Sequence, residues 1–393
     1  MVNPTVIISL LLIFIGYILF SQKLWIILII ALPMLALGQF LHFEIRPSWI
    51  YEISLSEVLL ILSAAILLVT AIYNRSFLKI KIDRIFFLLL IYLVIGIISF
   101  YSIDNVRLFV SELKVIVFSL LAYWLSINLI DTVPKIKKLV YGLAFLVFVL
   151  SMQIFWEILQ LGFSSRLFLD RSSVVIPIGA IALVSAVLSL ILPLLLAFYF
   201  SMPRENKNRV FILISFLLGL IAILLIMAKA AIISLLIALI YLFIKIKQKR
   251  LALALVFGAF MVISSLVFAP YMSGLVDRVA NVSVDKNTQF RKQEYQIGWK
   301  IISQHKWFGV GIGQQPLYYQ KEFGFEYRNL VNNFLMQSLI DLGLFGLLVI
   351  SLIIKKIIFI GKSFNKSFIL KNPIYYGFIA SLLAAMVNGL FFG

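Results

Sequence analysis

Two basic residues, Lys229 and Arg291, occupy positions where they could neutralise an anion at a membrane surface. Lys229 interrupts the apolar stretch Val210 to Ile244, which is too long for one membrane helix, so we expect the chain to turn back near it. Arg291 lies in the one long polar segment, roughly Pro270 to Leu330. A charge inside hydrocarbon costs about 2.5–3.5 kcal/mol, so such cations are candidates for function. Lys229 could also be a lysine that snorkels to the interface.

The sequence around Arg291 has helical spacing. Arg291, Glu294, Tyr295 and Gly298 fall on one side of the predicted helix. Trp299 and Trp307 would anchor this amphipathic helix at the membrane interface. The alternative is that its basic residues only bind lipid head groups.

A glycine-rich segment, Lys306 to Gly313, follows this helix. Its glycines do not open a helix after a strand, so they predict a tight turn that allows close backbone approach to a ligand, with Gly311 as a candidate binding residue. Asn332 and Asn333 then begin a helix that runs past Gly343 and Gly346. The two asparagines are candidate site residues, although Asn332 could simply cap that helix.

Other polar residues are candidates for binding or proton transfer. Glu157, beside Gln153 and Trp156, is either a functional carboxylate or an interfacial residue. His42 is better explained as an interfacial side chain. Additional candidate binding residues are Arg166, Arg171, Arg278 and His305.

Composition determines the class of protein that must position these groups. With 63% hydrophobic and 13% charged residues over 393 positions, the chain predicts an all-α polytopic membrane protein. The absence of cysteine excludes disulfides and thiolate chemistry. The first apolar run, Thr5 to Phe20, lacks a basic start and a small-residue cleavage site, so we expect a retained span and not a signal peptide.

About 20 apolar residues are needed to cross a bilayer, and on that measure the chain contains about twelve spans. We predict a bundle of about ten helices over 1–268, an outer loop with short amphipathic helices over 269–331, and two final helices over 332–393. The predicted runs are 5–21, 24–43, 55–73, 85–101, 115–130, 138–161, 174–200, 210–228, 230–244, 251–268, 332–354 and 374–392.

Charge predicts the orientation. Alternate connections between the spans carry 20 of the 34 lysines and arginines but only three acidic residues, so nearly all of the net charge of +18 lies on one face. By the positive-inside rule this face is cytoplasmic and the long polar loop is extracytoplasmic. The basic excess therefore requires no nucleic-acid partner.

The order of these residues resembles the O-antigen ligase and polymerase family. The resemblance covers roughly residues 210–350 and consists of a basic residue at a helix mouth, an Arg followed by Trp, a glycine turn, and Asn332-Asn333 before a Gly-x-x-Gly helix. Family members usually carry Arg at the position of Lys229. The guanidinium of Arg has a bidentate fork suited to phosphate, and Lys keeps the charge without the fork. Ligases carry His at the position of Asn332, and an amide cannot act as a general base. Possible substitutes are Glu157, Glu294, Glu326 and His305.

The resemblance implies glycosyl transfer at the outer face of a bacterial cytoplasmic membrane. The donor would be a glycan on undecaprenyl diphosphate, and Lys229 and Arg291, helped by Arg278, Arg171 or Arg166, would neutralise the departing diphosphate. We expect no cofactor and no metal, because the sequence has no Asp-x-Asp pair, no His-Glu-x-x-His and no P-loop. Expected partners are membrane lipids and, from the same pathway, a flippase and a chain-length regulator.

Three functions stay open at this point. Polymerisation of lipid-linked repeat units into O-antigen or another surface polysaccharide is favoured over ligation to lipid A core, because the ligase histidine is missing. A flippase or other transporter is a different class. Transport predicts polar residues through several spans and often an internal repeat, whereas the polar residues here gather toward the outer face.

Overall fold

The computed structural model describes most of the chain and shows it to be almost entirely helical. All structural statements below concern the described residues. These are 25–36, 42–43, 53–73, 80–102, 104–161, 181–203, 205–226, 228–246, 258, 286–323, 333–363 and 373–391.

Twelve α-helices and one pair of two-residue strands are present in the described part of the chain. The strands are β1 (His42–Phe43) and β2 (Ile53–Ser54), and a short 3-10 helix covers Ser99–Ser102. The helices are α1 (Trp25–Ala36), α2 (Leu55–Tyr73), α3 (Arg84–Ile98), α4 (Val106–Leu129), α5 (Val133–Leu161), α6 (Ile181–Ser201), α7 (Asn208–Ile226), α8 (Lys229–Lys245), α9 (Lys286–Gln304), α10 (Gln315–Phe323), α11 (Phe334–Ser363) and α12 (Pro373–Phe391).

Seven of the described helices, α2 to α7 and α11, are long and apolar enough to cross a membrane. Apolar parts of α8 and α12 form two shorter candidates. The predicted run 5–21, and 251–268 apart from Gly258, lie outside the described residues. The all-helical membrane architecture is therefore confirmed, and the number of twelve spans stays a prediction.

The predicted run 24–43 is wrong at its end. Helix α1 is followed by a short antiparallel pairing in which His42 lies opposite Ser54 and Phe43 opposite Ile53. This pairing gives backbone hydrogen-bond partners to the two short strands.

The chain forms two compact units. The first contains residues 1–87 and 115–142, with a core that includes Ile27, Leu60 and Leu125. The second contains residues 88–114 and 143–393. In this second unit α12 packs on α6 and α8, and α6 also packs on α7.

A small apolar cluster joins α9, α10 and the beginning of α11 within the second unit. Its fully buried members include Ile301, Tyr319 and Ile340, with Met336 and Val310 beside them. The helices of the predicted outer loop therefore have a hydrophobic core of their own, which is built with the first turns of α11.

Helix α11 is broken at Gly343, which has φ 63° and ψ −156°. An unbroken helix would separate Phe334 from Ile354 by roughly 30 Å, yet both line one apolar cavity of 260 Å³ with residues of α12. The predicted helix that runs past Gly343 is therefore interrupted at that residue, and the expectation of a continuous helix there is wrong. The part after the break, Leu344 to Ser363, is still long enough to span a bilayer by itself.

Candidate functional site

The glycine turn, defined here as Lys306 to Gly313, docks onto the break in α11. Its Val310 N–H donates to the Ile340 carbonyl at 2.8 Å, and its Gly311 N–H donates to the Asp341 carbonyl at 3.0 Å. In return, the Leu344 N–H donates to the Lys306 carbonyl at 2.9 Å. Irregular backbone in a membrane helix is tolerated where protein groups satisfy it, and the turn provides those groups.

Glycine is required in this turn because the backbones approach too closely for a side chain. Gly309, Gly311 and Gly313 all have positive φ. A Cβ on Gly309 would overlap the backbone of Asp341, and one on Gly313 would overlap the Leu108 carbonyl. The close approach predicted for a ligand is thus made here by the protein's own backbone, while a binding role for Gly311 stays a prediction.

A second set of hydrogen bonds holds the turn to the start of α4. The Ile312 N–H donates to Ser99 Oγ at 3.2 Å. The buried Gln314 amide accepts hydrogen bonds from the N–H groups of Asp104 (3.0 Å) and Asn105 (2.8 Å), and it donates to the Asn105 carbonyl at 2.9 Å. Gln314 therefore fixes the turn against the loop between α3 and α4.

Two carboxylates lie behind the turn. Glu112 on α4 is close enough for its charge to act on Asp341 of α11 and on the Tyr92 hydroxyl. Asp341 is only 6% exposed, and its Oδ1 has no hydrogen-bond partner within the described residues. Tyr92 is hydrogen-bonded to Ser338, with 3.4 Å between the two oxygens. Sequence analysis missed both acids, although an acidic residue inside an apolar run is a signal that could have identified them.

Of the two asparagines before α11, it is Asn333 that caps the helix. Asn333 Oδ1 accepts hydrogen bonds from the N–H groups of Leu335 (3.0 Å) and Met336 (3.1 Å), and α11 begins at Phe334. Asn333 is therefore the cap that the sequence analysis considered for Asn332. Asn332 lies outside the described residues.

Helix α9 turns the predicted face inward. Glu294 and Gly298 are buried, and a Cβ on Gly298 would overlap Met336. The Tyr319 hydroxyl donates to the Glu294 carbonyl at 2.7 Å, and burial raises the pKa of that tyrosine. Arg291 belongs to the same helix, but its side chain lies outside the described part of the structure.

Aromatic side chains cover the opposite, exposed side of this region. Trp299, Trp307 and Phe308 are 61–63% exposed, as the prediction of interfacial anchors requires. The Phe308 ring also lies 5.1 Å from the Phe345 ring, beyond the helix break. The His305 ring packs edge-on against Tyr318, with 5.5 Å between their centres.

The remaining predicted residues are placed only in part. Lys229 is the first residue of α8, so the helix is interrupted where the sequence predicted, but the Lys229 side chain is not among those described. Glu157 is half-buried near the end of α5. Arg166, Arg171, Arg278 and Glu326 lie outside the described residues. No group of three or more His, Asp or Glu side chains in the described ranges could hold a metal ion.

These elements define a multi-pass membrane protein in which a turn outside the regular helices is bound to a broken span. Residues 214–351 match the family model described as O-antigen ligase, a range that contains α8 to α10, the glycine turn and the break in α11. This similarity over residues 214–351 confirms the resemblance to the O-antigen ligase and polymerase family that the motifs indicated. A search of curated proteins gave no match.

Proposed function

We propose that the protein polymerises lipid-linked oligosaccharide repeat units into a surface polysaccharide such as O-antigen. The observation that carries this proposal is the family match over residues 214–351, which includes Lys229, Arg291, the glycine turn and Asn333. The activity would lie at the outer face of the bacterial cytoplasmic membrane, with a flippase and a chain-length regulator as partners.

The proposed chemistry needs positive charge at the leaving group. An acceptor hydroxyl attacks the anomeric carbon of the donor sugar, and undecaprenyl diphosphate leaves with the bonding electrons. Lys229 and Arg291 neutralise the charge that develops on the diphosphate, with no metal in that role. The position of Lys229 supports this assignment: a cation at a helix N-terminus does not stabilise the helix, but the ammonium and the helix dipole both attract an anion.

A polymerase fits this chain better than a ligase. Ligases of the family carry His where this sequence has Asn332, so the group that would activate their acceptor is missing. The sugars, the linkage and the acceptor are determined by pocket shape and follow from no local motif.

A transporter is the second candidate, and the break in α11 is the observation that favours it. Transporters form their substrate sites at interrupted membrane helices, where freed backbone groups face the substrate. The break at Gly343 is occupied instead by the glycine turn, which binds the Ile340 and Asp341 carbonyls. This arrangement supports surface chemistry over passage through the bundle.

The direct test uses purified protein in lipid nanodiscs with polyprenyl-diphosphate-linked oligosaccharide and a metal chelator. A ladder of lengthened glycans on a gel is the expected result. If glycan is transferred only to added lipid A core, the activity is that of a ligase and not of a polymerase. If neither product forms and glycan units accumulate on the inner leaflet of cells, transport becomes the better explanation.

Variants of the two cations test the assignment of the site. We expect Lys229→Ala and Arg291→Ala to slow ladder formation by about 10²- to 10³-fold, the cost of removing one group that stabilises developing negative charge. Lys292→Ala is the matched control, because Lys292 is the exposed neighbour of Arg291 on α9. Variants that insert normally and still lengthen glycans at the wild-type rate would contradict the site.

A further inference from the structure

The side chain of Glu112 lies beside the glycine turn. A Cβ built on Gly313 would come within 3.1 Å of Glu112 Cγ, so little space separates this side chain from the end of the turn. Glu112 is partly exposed, in contrast to the buried Asp341 behind it. Glu112 therefore combines a position beside the turn with partial exposure of its side chain.

Other described acids near the turn are less suited to exchange a proton with a substrate. Asp104 is paired with Lys321 at 3.3 Å. Glu294 is 1% exposed and lies on the buried face of α9. Glu112 makes no ion pair within the described residues, so its carboxylate oxygens are not bound to a cation there. A base must be free to accept a proton, and Glu112 meets that condition.

Hydrogen bonds around Asn105, at the start of α4, fix the helix that carries Glu112 relative to the turn. Asn105 caps α4 by accepting the Arg107 and Leu108 N–H groups at 3.0 and 3.3 Å. The Gln314 amide binds the backbone of this same Asn105. These hydrogen bonds therefore fix the start of α4 in position relative to the glycine turn.

We propose that Glu112 is the general base that takes the proton from the attacking sugar hydroxyl. This inference rests on the proposed function and provides the base that Asn332 cannot be. The acceptor O–H bond breaks and its proton passes to a Glu112 carboxylate oxygen. The freed hydroxyl oxygen bonds to the anomeric carbon, the bond from that carbon to the diphosphate breaks, and the diphosphate leaves with the electron pair. Glu112 later releases the proton to water.

The experiment compares Glu112 variants for turnover and for donor binding. Glu112→Gln keeps the size of the side chain but cannot accept the proton, so we expect ladder formation to fall by about 10²- to 10⁴-fold. Binding of the lipid-linked donor, measured with a fluorescent analogue, should be unchanged because the cations that bind the diphosphate remain. Glu112→Asp should retain part of the turnover.

Chemical rescue separates a catalytic role from a structural one. Glu112→Ala leaves a space beside the turn, and added formate should restore turnover in that variant but not in Glu112→Gln. Asp104→Asn is the control; it should stay within about twofold of wild type, because an exposed ion pair contributes little.

The outcomes distinguish this inference from the proposed function. A wild-type protein that makes a ladder, together with Glu112→Gln at the wild-type rate, overturns Glu112 as the base and leaves the polymerase standing. A wild-type protein that makes no ladder on any acceptor refutes the proposed function itself. Loss of both turnover and donor binding in Glu112→Gln, with no formate rescue of Glu112→Ala, assigns Glu112 a structural role.

Discussion

Neighbouring polar residues in this chain have separate tasks. Asn332 and Asn333 are adjacent in sequence, but the Oδ1 of Asn333 is committed to two backbone N–H groups at the start of α11. An amide used in this way stabilises the half-helix between Asn333 and the break at Gly343. That half-helix carries Met336 and Ile340 into the cluster around Tyr319, so the cap supports the base of the site.

Replacing the cap should loosen this half-helix selectively. We expect Asn333→Ala to lower the free energy of unfolding by about 1 kcal/mol, the usual cost of losing an N-cap. Asn333→Asp should retain most of the stability, because a carboxylate accepts the same N–H groups and suits the positive end of the helix. Amide hydrogen exchange at Leu335 and Met336 measures the effect locally. Equal protection in Asn333→Ala and wild type would show that the cap contributes nothing.

For individual residues, the sequence predicted which residue types have a role better than it predicted the groups they contact. An Asn before a helix predicts a cap. The sequence analysis considered Asn332 for this role, and the structure shows Asn333 in it. The pairing of Glu112 with Asp341 could not be predicted, because the two are 229 positions apart in the chain and only the fold brings their charges together. Spacing along a helix carries information over a few residues and none over that distance.

The central element of the site is the pairing of the glycine turn with broken helix α11. The break would leave carbonyl groups unsatisfied at Ile340 and Asp341, and the turn satisfies both. The same hydrogen bonds hold the turn in place against α11. Neither element would have its observed backbone without the other, so their glycines are expected to be sensitive to substitution.

Gly343→Ala tests this dependence. The φ and ψ of Gly343, 63° and −156°, lie in a region that is essentially restricted to glycine, and strain there costs about 1–3 kcal/mol. The new Cβ would also overlap the Trp307 carbonyl. We expect a lower midpoint of thermal unfolding in detergent and faster proteolysis of the turn.

Leu344→Ala is the control for this change, because Leu344 is exposed and directly follows the break. Its unfolding midpoint should stay close to that of wild type. A Gly343→Ala protein as stable as Leu344→Ala would mean that the helix can straighten without cost, and the turn would then not depend on the break.

The helices themselves were predictable, whereas their interruption was not. The run 55–73 coincides with α2, and α7 and α8 are separate helices as expected, because apolar length determines both features. Gly343 was taken as part of a continuous helix. A glycine in an apolar run has the same appearance whether it packs against a neighbour or adopts positive φ, so the sequence could not distinguish these cases.

At the scale of the whole molecule, charge is the main source of information on topology. The basic connections on one face predict which side is cytoplasmic, since lysine and arginine are retained on that side during insertion. The proposed reaction depends on this orientation, because a lipid-linked donor flipped to the outer leaflet would be out of reach of a loop on the inner side.

The absence of cysteine makes this orientation directly measurable. Gln320→Cys, at an exposed position of α10, should react with a membrane-impermeant maleimide in spheroplasts, where the outer face of the cytoplasmic membrane is accessible. Glu205→Cys, in the exposed connection between α6 and α7, should react only after the membrane is permeabilised. The unsubstituted protein has no thiol and provides the background. The reverse pattern would place the glycine turn and Glu112 on the cytoplasmic side, where the acceptor and donor of an outer-leaflet polymerase could not meet them.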